Sequence, residues 1–113
     1  MGLRQQMQLE IETILGKKKF IYGGYEFKPK APYGNYARDD TDFIYTDDKA
    51  TLKVNTYIVR IVTPYKDFAL ENKVEGVFEK LDIPYRVIRE EEFPQEKVMC
   101  VEWEVEILEP MGE

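Results

Sequence analysis

Apolar residues Leu3, Met7, Ile11, Ile14 and Leu15 recur at spacings of three and four, which predicts a helix over residues 3–15 with one apolar stripe. Gly16 is placed to stop it as a left-handed cap, and Lys17, Lys18 and Lys19 then fall at the negative end of the helix dipole. A second stripe, Leu70, Val74, Val77, Phe78 and Leu81, follows Asp67, a good N-cap, and predicts a helix over 67–82. Glu71, Lys73, Glu75, Glu79 and Lys80 form its expected solvated side.

The remaining pattern is that of strands. Phe20–Tyr22 is a short apolar run ending in the Gly23-Gly24 turn, and residues 27–32, with Pro29 and Pro32, read as irregular. Tyr33–Arg38 reads as a second strand, which Phe43–Tyr45 either extends or turns into a hairpin arm. Asp39, Asp40, Asp42, Asp47 and Asp48 around it have turn chemistry. Over 52–63 the apolar residues are nearly continuous, the mark of a central strand covered on both faces. Residues 83–89 read as a strand entered at Pro84 and closed by an acidic turn at Glu90–Glu92. Residues 98–108 alternate, with Met99, Val101, Trp103, Val105 and Ile107 on one side and Cys100, Glu102, Glu104 and Glu106 on the other.

Helix, strands, helix, strands in one chain of 113 residues predicts a single α+β domain over 1–113. Its core is an antiparallel or mixed sheet of about four to five strands, with two helices packed against it. Two helices are few for both faces of a sheet. The second face of the central strand is covered either from within, by the 33–45 arm, or by another subunit.

Composition then narrows the chemistry. The chain has 22 acidic and 16 basic residues, a net charge of −6, which does not suit neutralising nucleic-acid phosphates. Cys100 has no second cysteine to pair with, and the chain has no His. Residues 1–15 interleave polar side chains among apolar ones, unlike a signal peptide, and no apolar run approaches the ~20 residues of a membrane span. A soluble protein made in a reducing cytoplasm is expected.

With neither His nor Ser, Ser-His and Cys-His mechanisms are excluded, so the chain is not expected to be an enzyme or to carry a cofactor. The Asp39, Asp40, Asp42, Asp47 and Asp48 group lacks the spacing of a calcium loop, and no metal site is expected. Glu102, Glu104 and Glu106 stand about 7 Å apart along their strand, either as a solvated face or as a row that oligomerisation turns toward a shared channel. Arg60, the one charge within the central strand, is placed to pair with them if the two strands are neighbours.

Three stretches carry a resemblance to a known family: Ala31-Pro32-Tyr33-Gly34-Asn35-Tyr36 with Thr41–Lys49; the strand ending at Thr63; and Lys66–Lys80 followed by Ile83-Pro84-Tyr85 and the last strand. In these the chain resembles the tail terminator or tail completion (head-tail joining) proteins of long-tailed bacteriophages. The resemblance implies a non-enzymatic virion protein, made in the bacterial host, that forms a homo-oligomeric, six-fold ring at the head-proximal end of the tail. Its implied partners are the major tail-tube protein and a head-completion protein, with DNA passing through the lumen without specific binding. The loop Asp39, Asp40, Asp42, Asp47, Asp48 and Lys49 would reach a neighbouring subunit, and the Glu102, Glu104, Glu106 row with Arg60 would face lumen or interface. Another head-tail connector, or a small ligand-binding or regulatory α+β domain with a tyrosine-lined pocket, are the alternatives.

Overall fold

The computed structural model describes residues 2–110 of the chain; of the expected 1–113 domain, the remaining positions lie outside the described residues. Helix α1 is Leu3–Leu15, strand β1 Phe20–Tyr22, β2 Tyr33–Thr46, β3 Lys49–Thr63, helix α2 Phe68–Lys80, β4 Tyr85–Phe93 and β5 Val98–Pro110. The strands form one mixed sheet in the order β1-β2-β3-β5-β4, with β1 parallel to β2 and the other neighbours antiparallel. This is the α+β class expected from the sequence.

The helices begin and end for local reasons. Asp67 accepts a hydrogen bond from the Leu70 amide at 3.0 Å and caps α2. Gly16 ends α1 at φ 120, ψ 159, an almost glycine-only region and not the left-handed cap expected. Helix α2 stops at Lys80, two residues before the expected end, as Asp82 takes a positive φ of 55.

Both helices press on one sheet face. There Met7, Ile11 and Leu15 of α1 and Val74, Val77 and Phe78 of α2 meet Tyr36, Tyr57, Val59, Ile61, Val101, Trp103, Val105 and Ile107. Trp103 is fully buried and donates its indole N–H to Glu75 at 2.9 Å. Glu75 and Glu71 thus leave the solvated side assigned to them: Glu71 is buried and receives Lys66 Nζ at 2.8 Å. Gly34 marks the closest approach, since a Cβ there would lie 2.6 Å from the Arg60 carbonyl oxygen and from Ile61 Cδ1.

Four strands are longer than the pattern indicated, β2 running from Tyr33 to Thr46 and β4 from Tyr85, not 83, to Phe93. The central strand β3 starts at Lys49 instead of residue 52, and β5 runs on to Pro110 instead of 108. The acidic Glu90–Glu92 run is no turn: it lies within β4, paired with Val101, Cys100 and Met99, and the chain reverses at residues 94–97. Ladder hydrogen bonds there outweigh the weak strand propensity of glutamate.

Candidate functional site: the hairpin arm and the outer sheet face

The segment expected to be an intersubunit loop is a hairpin arm. Asp40, Asp42 and Lys49 are paired in the β2–β3 ladder, Asp39 sits at a register shift between Arg38 and Asp40, and only Asp47-Asp48 turn the chain. Both turn residues have positive φ, 53 and 65, the requirement of a tight two-residue hairpin. The ladder satisfies the backbone of these polar residues, so turn-like composition does not break the strand.

Beyond the bulge at Asp39, the seven residues 40–46 extend the arm by roughly 23 Å at strand rise. The molecule measures 53 × 28 × 25 Å along its principal axes. Every residue from Asp42 to Lys49 is exposed, because the arm extends past the helices. It nevertheless carries apolar side chains on both faces. Phe43 and Tyr45 stand together on one, rings 6.3 Å apart, and Tyr45 is 64% exposed. Ile44 pairs with Leu52 on the other, where Val54 lies opposite Leu108.

Where the arm joins the body, the core turns polar. Glu109, buried, accepts from Asn55 Nδ2 at 2.8 Å and from the Tyr57 hydroxyl at 3.0 Å, and Asn55 Oδ1 accepts from Thr41 at 2.6 Å. Nearby, Arg4 donates to the Tyr36 hydroxyl at 2.8 Å, which donates to Gln8 at 2.5 Å. Burial, then the bond to Glu109, pushes the Tyr57 phenol well above its usual range. None of this row was foreseen. Its one sequence signal is Asn55 among the apolar residues of the central strand.

The outer face, away from the helices, holds the predicted glutamates. Arg60 does lie beside Glu102, opposite it in register with Nε–Oε2 at 3.9 Å. Two arginines that sequence reasoning passed over join them: Arg86 reaches Glu104 at 3.1 Å, while Arg89 lies opposite Glu102 and bonds Glu91. Their signal was basic positions on a strand entering a short turn before the glutamate strand. Glu102 and Glu104 are therefore matched by cations, and Glu106 is the exposed acid of the row. The row and the Asp arm are not brought into one site.

At the far end of this face Arg60 Nε donates to Cys100 Sγ at 2.9 Å. Burial pushes the Cys100 thiol up, against the pull of Arg60, which keeps it protonated and a poor nucleophile. Beside it lies a shallow depression of about 250 Å³ that includes Tyr25, Tyr33 and Lys28. The hydroxyl of Tyr25 is committed to the Gly34 carbonyl at 2.7 Å, while Asn35, Arg60 and Glu96 also border the depression. Among the described residues no group of three His, Cys, Asp or Glu is placed to hold a metal, and no helix is long and apolar enough to cross a membrane.

A mixed sheet with both helices on one face and a hairpin running past them defines the class of the fold. No family model and no curated protein matches the chain. Among solved structures it is similar to a chain described as "Virion of native gene transfer agent (GTA) particle", with a TM-score of 0.51 and 11% identity, over 95% of this chain and 92% of that one. At that identity the likeness establishes a shared fold.

Proposed function

We propose that the protein is a structural component of a virion, a ring-forming tail terminator at the head-proximal end of a tail, which joins the tail tube to head-completion proteins. The observation that carries this reading is the arm. A lone soluble domain gains nothing from about 23 Å of hairpin with Phe43 and Tyr45 on one face and Ile44 and Leu52 on the other. A subunit that is clasped by neighbours does. The nearly end-to-end fold likeness to a virion chain and the terminator-like Ala31–Tyr36, Thr41–Lys49 and Lys66–Tyr85 stretches support the same reading. The task is assembly, not catalysis, in keeping with the protonated, buried Cys100.

In such a ring the outer face of β3, β5 and β4 would line the passage. Its alternating Glu102, Glu104, Arg60 and Arg86 give a surface that neither traps nor strongly repels phosphate. The test is the mass of the purified protein, alone and after mixing with the tail-tube protein of the same virion. A ring and a tube complex are expected; a monomer in every mixture would sink the reading. Binding to head-side proteins alone would make it another connector.

A further inference from the structure

We infer that the arm of one copy docks on the lysine-bearing end of a second copy. The inference rests on the assembly reading above and names the surface that receives the arm.

Two segments carry opposite charge, although Glu91, Glu92 and Glu96 lie at the same end as the lysines and Lys53 lies within the arm. Residues 39–49 hold five Asp against Lys49, a net −4; residues 17–30 hold Lys17, Lys18, Lys19, Lys28 and Lys30 against Glu26, a net +4. They lie at opposite ends of the long axis. Phe20, next to the lysines, is in register with Gly34 and through it with Ile61 of β3, twelve residues from Lys49 and so roughly 40 Å from the arm tip.

Some charges elsewhere are paired internally: Lys66 with Glu71 and Glu90, Lys80 with Glu10, Arg86 with Glu104. Among the described residues neither the arm aspartates nor these five lysines form an ion pair. The lysine end also offers apolar surface to the arm, with Phe27 83% and Tyr22 51% exposed. Charge complementarity therefore selects a second copy as the occupant of the arm's uncovered faces.

Strand pairing between copies is the competing mode, and the edges oppose it. The open edge strand β4 is bulged between Val87 and Arg89 and carries Glu90–Glu92, and the β2 edge is bulged at Asp39 among charges.

A charge swap in the full chain decides the matter. One variant carries Asp39→Lys, Asp40→Lys, Asp47→Lys and Asp48→Lys; a second carries Lys17→Glu, Lys18→Glu, Lys28→Glu and Lys30→Glu; a third carries both sets. Self-association is read by sedimentation velocity across protein and salt concentration, and folding by circular dichroism. The wild type is expected to associate more weakly as salt rises, each single set to lose about 100-fold or more in association, and the double set to recover most of it. A monomeric wild type, single sets that associate as the wild type does, or a folded double set without recovery would each overturn the inference. Immunodetection in purified virions separates the two claims. Particles that take up both single-set variants normally refute the contact and keep the virion reading, whereas absence of the wild type from particles refutes that reading.

Discussion

Gly34 and Tyr57 show how single atoms set the limits of this fold. The missing side chain of Gly34 lets β1, β2 and β3 close up, with the Arg60 carbonyl oxygen 2.6 Å from where a Cβ would stand. Gly34→Ala is expected to cost about 1–3 kcal/mol in urea denaturation, because the obstructing oxygen belongs to backbone. Tyr57 is instead a matter of pH. Its folded-state pKa is raised above the unfolded value of about 10, so its contribution is complete below that value and is lost as pH rises further. Unfolding free energy measured between pH 8 and 11 should fall at the alkaline end, and Tyr57→Phe should fall less steeply. At neutral pH the same variant should lose about 1–2 kcal/mol, as a Glu109 oxygen goes unpaired. A flat alkaline profile in the wild type would contradict the Tyr57–Glu109 bond.

At the scale of elements, the arm separates into a root that belongs to the core and a tip that does not. Replacing Asp42–Val54 by an Asn-Gly turn rejoins Thr41 and Asn55, which are already paired, and spares the Asn55–Glu109 bond. The shortened chain should melt within a few degrees of the full one and fail to assemble. Assembly at wild-type levels would remove the arm from the proposed function. Much of this level was legible in the sequence, because helix periodicity and strand alternation record which side meets the core: α1 has the expected bounds, and Glu102, Glu104 and Glu106 face away from Trp103 as the alternation requires. What escaped was contributed by neighbours distant in sequence. Aspartates at 39–48 and glutamates at 90–92 read as turns, since local propensity does not register the partner strand that completes their backbone hydrogen bonds. Glu71 and Glu75 read as solvated because Lys66 and Trp103 reach them only once the chain is folded.

For the whole molecule, the outer face poses the remaining functional question. With Arg60 and Arg86 beside Glu102 and Glu104, substituting Glu102, Glu104 and Glu106 together by Gln turns a balanced surface into a basic one. If this face lines a passage for DNA, particles carrying the triple variant should form normally and eject DNA more slowly, as measured by dye uptake on triggered release. Unchanged ejection would assign the three glutamates to a merely solvated face. The balance of charge on this face was only half visible in the sequence, where the acids formed a plain row but the arginines opposite them belonged to a strand of unknown neighbour.

The length of β3 has a mechanical consequence. Its 15 residues run from the arm tip through the centre of the core, and β5 is hydrogen-bonded along it from Leu52 to Thr63. Tension applied at the tip along the strand axis acts as shear on that ladder, whose bonds must yield together instead of unzipping one at a time. A subunit held by its arm would thus transmit a pull directly into the sheet face on which both helices pack, a geometry suited to bearing load.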